Sequence, residues 1–198
     1  MESKETRKSS EMNVEDLPDV RAFQDEFTRN FLQSTEETRS GYYPFLSGTG
    51  KYKMDFPAGG IIGEKSYALE KERFESYLIG VQKESVKSSV DITYTAEKEG
   101  NEKVILDMLR KSSNEELKFK KEELQGRGLY IAPLNENGEF GFVSYIQNLS
   151  GVGGIQVFYV SECNKENENC SKDIEKENSL IIDWLKTIQF VNKENESE

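Results

Sequence analysis

The side chains with the most chemical reach in this sequence are two cysteines and a large set of carboxylates. Cys163 and Cys170 have six residues between them, in a stretch rich in Asn, Glu and Lys. Two thiols in a polar loop are poor core filler. The chain has no His and no further Cys, so they cannot complete a tetrahedral zinc site. A disulfide that staples the loop is expected in preference to two free thiols. For so short a loop it is worth roughly 2–3 kcal/mol. Such a bridge implies an oxidising compartment.

The lack of His removes Ser-His-Asp and Cys-His nucleophilic systems and most zinc enzymes. Gly151-Val152-Gly153-Gly154 lacks the Lys-Ser/Thr of a phosphate-binding loop and precedes a strand pattern, so it reads as a hairpin turn. Residues 135–139 (NENGE) lack the leading Asp and distant Glu of a calcium loop, and Asn137-Gly138 is a hairpin signal instead. No metal, cofactor or catalytic residue is expected. A glycosidase needs two facing carboxylates, but with 37 acidic residues some such pair is inevitable. No Glu or Asp is read as standing alone inside an apolar strand run. Asp183, beside Trp184, comes nearest, and at that helix position it points sideways as a boundary residue.

Four residues form a candidate contact patch. Tyr42, Tyr43 and Phe45 crowd a Gly- and Pro-bounded connector, where they either meet a partner or plug one end of a sheet. Arg127, between Gly126 and Gly128, is either an exposed binding side chain or a bulge residue.

These residues need elements to hold them, and residues 140–190 organise the chain. Phe140, Phe142, Ser144 and Ile146 alternate with Gly141, Val143 and Tyr145 over a strand at 140–147. A second strand follows at 155–161, then the cysteine loop. A helix at about 171–189 carries Ile174, Ile181, Trp184, Leu185 and Ile188 on one side. Upstream, Val20, Phe23, Phe27 and Phe31 predict an amphipathic helix over 17–34, with Asp16 as N-cap. Strands are expected at 51–56, 73–81, 88–96, 116–124 and 127–132. A helix is expected over 102–111, capped by Gly100-Asn101, with Val104, Ile105, Met108 and Leu109 inward. The order lacks a repeating strand–helix–strand rhythm. It predicts an α+β fold, an antiparallel sheet of about six or seven strands flanked by helices.

A charged content of 32% against 35% hydrophobic implies some solvated tail. Residues 1–14 read as a flexible tether, 15–191 as a single domain and 192–198 as a frayed tail. A net charge of −11, with Lys interleaved among Glu at 118–122 and 172–177, disfavours nucleic acid. No run of about 20 apolar residues spans a bilayer. The opening MESKETRKSSEMN has the composition of the stretch that follows the lipidated cysteine of a bacterial lipoprotein. The gene is therefore expected to encode such a cysteine just ahead of Glu2.

The amphipathic strand ending in Phe56-Pro57, the antiparallel meander and the closing stretch IIDWLKTIQFV (181–191) together resemble the PsbP/Mog1-like α/β/α sandwich. The resemblance covers roughly residues 41–191. Members include an extrinsic photosystem II subunit, a Ran-binding protein and secreted bacterial lipoproteins. Composition and tether look most like lipoproteins of Bacillus-type Gram-positive bacteria. The resemblance implies an interaction module without shared catalytic residues.

The expected function is thus a non-enzymatic domain on the extracellular face of the membrane. It would bind a protein or cell-envelope component and touch the membrane only through an N-terminal lipid. Two alternatives stay open. One is a small-molecule or glycan binding or hydrolytic protein with a carboxylate–aromatic cleft. The other is a cytoplasmic acidic adaptor, which a Cys163–Cys170 bridge would exclude.

Overall fold

Side chains alternate in direction along a strand, and that alternation decides how this sheet is covered. The computed structural model describes residue 9 and residues 12–96, 102–113, 116–136, 138–164 and 170–191. It is an α+β domain. Its large antiparallel sheet runs β3 (Gly60–Ile62), β5 (Phe74–Gln82), β6 (Val86–Thr95), β10 (Gly154–Cys163), β9 (Glu139–Asn148), β8 (Arg127–Glu136), β7 (Lys120–Leu124), with β4 (Ala68–Glu70) also paired to β5. That makes eight strands among the described residues, more than the six or seven expected.

The strand at 51–56 is not part of this sheet. It is β2 (Tyr52–Pro57), which pairs β1 (Tyr42–Leu46) on one side and β11 (Gln189–Phe190) on the other in a separate three-stranded sheet. The helix α4 (Cys170–Leu185) and this small sheet close one face of the large sheet. Their apolar faces, with Tyr77, Ile79, Ile92, Ile146 and Val157 of the large sheet, make the main core. As expected, the stripe of Ile181, Trp184, Leu185 and Ile188 is buried, with Trp184 only 3% exposed. The Trp184 indole donates to the Asp55 carbonyl at 2.7 Å, pinning α4 to β2.

The opposite face of β8, β9 and β10 is covered by α3 (Glu102–Ser112), whose Ile105, Leu106 and Leu109 pack on Tyr130, Val143 and Tyr145. Both faces of β9 are therefore buried, as its continuous apolar pattern requires. The orientation expected for α3 is corrected in part. Val104 and Met108 are 56% and 62% exposed, because Leu106 shares the inner face with residues 105 and 109. The proposed Gly100-Asn101 cap lies outside the described residues.

The single helix expected over 17–34 is also corrected. Two short helices stand there, α1 (Arg21–Gln24) and α2 (Glu26–Arg29). Asp25 between them is extended, with ψ 118°, and caps α2 by accepting from the Thr28 amide at 2.8 Å and its hydroxyl at 2.6 Å. Phe23, Phe27 and Phe31 still reach or flank the core through these turns.

The expected free tether over 1–14 is corrected at one point. Ser9 is fully buried, and its hydroxyl donates to the carbonyls of Leu32 at 2.5 Å and Arg29 at 3.1 Å. The Arg29 carbonyl ends α2 and also accepts from the Leu32 amide at 3.2 Å, so Ser9 joins the turn that closes this helix. Val14–Asp16 forms a 3-10 turn. The tail at 192–198 lies outside the described residues.

Candidate binding groove

The strand pleat separates the four residues nominated as a contact patch. In β1 it turns Tyr43 and Phe45 inward, and both are buried. The Tyr43 ring meets Phe23 edge-on at 4.8 Å, and Phe45 stacks on Phe31 and Phe56 at 5.7 and 5.6 Å. These two rings plug the small sheet and are not open to a partner. Tyr42, on the other face, lies half-buried under the Arg39 guanidinium, 3.8 Å from its ring centre. Arg39 in turn pairs with Asp55 at 2.8 Å.

Arg127 stands on β8, and its Nη2 donates to the Lys186 carbonyl at 2.6 Å. That carbonyl lies just past the end of α4, so the guanidinium serves as a C-terminal cap, where a cation is favoured. Asp183 is exposed, as its helix position implies. Cys163 ends β10, half-buried beside Val86 and Phe140. Cys170 begins α4; its side chain lies outside the described residues, and the expected bridge with it.

A buried carboxylate was missed in the sequence. Glu75 on β5 is fully buried. Residues 75, 77, 79 and 81 share the inward face of that strand, so alternation alone could have found it. The carboxylate accepts from the Gly48 amide at 2.8 Å, the Thr49 amide at 3.2 Å, the Thr49 hydroxyl at 3.0 Å and the Tyr67 hydroxyl at 3.2 Å. Beside it, the Tyr52 hydroxyl bonds the Tyr77 hydroxyl at 2.8 Å. Burial, with the Glu75 charge adding to it, raises the pKa of Tyr67 and, well above the ordinary tyrosine value, that of Tyr77. Gly48 approaches so closely that a Cβ there would strike the Tyr67 hydroxyl. Glu75 thus fastens the loop between β1 and β2 to the large sheet. It lines none of the depressions described below.

One groove opens to solvent at the end of the molecule where β5 starts and β6 and β9 stop. It has a volume of about 390 Å³ and is lined by Lys51, Arg73, Tyr94, Ser150, Val152 and Val191 among others. Its walls are tied by hydrogen bonds. The Val191 amide donates to Lys51 and the Ala96 amide to Arg73, each at 2.8 Å. The loop after β9 is held by Asn148, whose Oδ1 accepts from the Ser150 amide at 3.0 Å and whose Nδ2 donates to the Val152 carbonyl at 3.1 Å. Gly153, at φ +107°, lies on the Tyr94 ring; a Cβ there would sit 2.9 Å from it. The glycines read as a hairpin turn are therefore also one wall of this groove. Lys51 bonds Glu72 at 2.5 Å across the mouth. The Arg73 side chain is exposed and has no ion-pair partner among the described residues.

Two smaller depressions are present. One is lined by Glu139 and Glu162, cross-strand neighbours on β9 and β10, with Lys87 and Ser88, and no aromatic residue lines it. The other lies on the small sheet beside Asp55. Paired carboxylates beside aromatics, the mark of a glycan-cleaving cleft, do not occur in any of the three. Among the described residues no group of three or more His, Cys, Asp or Glu is placed to hold a metal ion. No helix among them is long and apolar enough to cross a membrane.

Residues 18–189 match the model of a protein family described as "Putative lipoprotein YvcA". The chain is also 27% identical over 201 residues to the protein of that description from Bacillus subtilis (strain 168), covering 94% of this chain and 83% of the relative. No solved structure matches.

Proposed function

The chain belongs to the YvcA lipoprotein family, and from that premise we propose a non-enzymatic, lipid-anchored domain on the outer face of the cell membrane that binds a protein or envelope partner. The observation that carries this reading is the allocation of the polar groups. The one fully buried carboxylate among the described residues, Glu75, is spent on four hydrogen bonds that hold a loop. The open groove has one carboxylate in its lining, Glu72, and that group is tied to Lys51 rather than facing a second acid. Lipid and tether make the membrane contact, since a net charge of −11 repels an anionic bilayer. A Cys163–Cys170 bridge joins the end of β10 to the start of α4 in an oxidising compartment.

The test uses the full gene product in its native cell. Metabolic labelling with an alkyne fatty acid is expected to mark the chain, and protease added to intact protoplasts is expected to remove it. Cross-linking on intact cells should then recover a discrete partner. An unlabelled, protease-protected chain would overturn the localisation. Release of product from envelope glycans by the purified domain would overturn the non-enzymatic assignment.

A further inference from the structure

Resting on the lipid-anchored reading, we infer that the segment ahead of the domain is a latched strap. Ser9, seated on the turn that closes α2, shortens the span between anchor and domain, and its release lengthens that span. Ser9 is fully buried, although the sequence around it is rich in Lys, Arg, Glu and Ser. A polar side chain enters a protein interior only where it finds partners. Ser9 finds two, the carbonyls of Leu32 and Arg29 at 2.5 and 3.1 Å, 23 and 20 residues further along the chain. Local hydrogen bonds then lead into the domain. The Met12 amide donates to the Ser9 carbonyl at 3.4 Å, and the Asp16 amide to the Asn13 carbonyl at 3.0 Å. Serine suits the seat because it is small and neutral. A charged residue such as Lys8 could not take its place without burying an unpaired ion.

The seat is continuous with the core. Phe31 and Leu32 are buried, and Phe31 stacks on Phe45. The Leu46 amide donates to the Phe31 carbonyl at 3.0 Å and the Gln33 amide to the Pro44 carbonyl at 2.8 Å, so the gripped turn runs along β1 on the side away from β2. While the latch is closed, a pull from the anchor enters the domain at this rigid turn. The latch itself is light, two neutral hydrogen bonds and one small side chain. Contacts of that kind open locally while the rest of the fold stays intact. Once it opens, residues 9–13 join the span and add up to roughly 17 Å of reach. The strap thus has two lengths, a short one that keeps the domain close to the bilayer and a long one for a partner further out.

The test has two readouts on the whole chain. Trypsin can cut after Lys8 only when Ser9 leaves its seat, because the protease must extend the residues on both sides of the bond. The product beginning at residue 9, followed by mass spectrometry, should form about tenfold faster from Ser9→Ala than from the native chain. It should form faster still from Ser9→Asp, whose carboxylate would face two carbonyl oxygens, while cutting within the domain stays at the native rate. The second readout is height above a membrane. The chain contains no His, so a histidine tag ahead of Met1 supplies one defined anchor on phosphatidylcholine vesicles doped with nickel-chelating lipid. Energy transfer from Trp184, the lone tryptophan, to dansyl headgroups should fall in Ser9→Ala and fall further in Ser9→Asp. Equal cutting after Lys8 in all three proteins, or unequal cutting with unchanged transfer, would overturn the strap. The vesicles carry their own anchor, so a chain that takes up no fatty acid on cells would overturn the lipid-anchored reading and leave the latch measurement standing.

Discussion

Replacing Glu75 by Gln changes one oxygen to an amide nitrogen in a site where two backbone amides and two hydroxyls donate to the carboxylate. If the side chain keeps its native position, the remaining oxygen holds the Gly48 amide and the Tyr67 hydroxyl, at 2.8 and 3.2 Å. The new NH2 then faces the Thr49 amide, which has lost its acceptor at 3.2 Å. The Thr49 hydroxyl can turn to accept from the new NH2, but the backbone amide cannot turn. A buried N–H without a partner costs about 1–3 kcal/mol. Each surviving bond also drops from charge-assisted to neutral strength, about 1 kcal/mol apiece. Against this, the fold no longer buries a charge, which returns a few kcal/mol. The net loss is about 1–2 kcal/mol, or roughly 2–8 °C in melting temperature for a domain of this size. Tyr67→Phe removes a single bond and should lose about 1 kcal/mol. Thermal and urea unfolding measure both, and hydrogen exchange at Gly48 and Thr49 should quicken in Glu75→Gln before any other amide. A Glu75→Gln protein as stable as the native one, with those amides still protected, would refute the view that this carboxylate holds the loop.

Gly141→Ala should destabilise by about 3 kcal/mol or more, or abolish folding, because φ is +150° and the new Cβ would run into the Tyr159 carbonyl of the neighbouring strand; urea unfolding reads this directly. Burial raises the pKa of Tyr52 and Tyr77 well above the ordinary value and raises Tyr159 as well. A phenol held protonated in the fold stabilises fully below the unfolded pKa of about 10, and that stability is lost as pH climbs toward the folded values. Phenolate absorbance should therefore lag at these residues and appear with unfolding; smooth, complete ionisation of an intact fold would contradict it. Free-thiol titration of the unreduced, denatured chain should find no thiol, and reduction should lower stability by roughly 2–3 kcal/mol; two titrating thiols would remove the bridge.

What the sequence revealed depended on how local the signal was. The stripe from Ile181 to Ile188 and the alternation from Phe140 to Ile146 are complete within one element, and each face could be read without neighbours. The aromatic spacing from Val20 to Phe31 was equally regular, yet it did not make one helix. Asp25 has a competing use for its side chain, capping Thr28, and two short turns satisfy the same burial. In α3 the apolar residues outnumber one face, so choosing between Leu106 and the pair Val104 and Met108 required the sheet beneath. Glu75 was hidden for a different reason. Its position was legible, but three of its four hydrogen bonds come from Gly48 and Thr49, 27 and 26 residues earlier in the chain, and only Tyr67 is near in sequence. The groove was the least legible feature, because its walls come from the ends of elements far apart in sequence.

The outermost strand β7 has a consequence for neighbours in a membrane. Its residues Lys120, Lys121, Glu122 and Glu123 are all exposed, and Lys121 already pairs with Glu123 at 2.8 Å. Molecules confined to a plane collide side-on far more often than molecules in free solution. A collision that stitched two such borders together would have to dehydrate a row of ions for a few main-chain bonds. At high surface density, copies should therefore bounce rather than zip into ribbons.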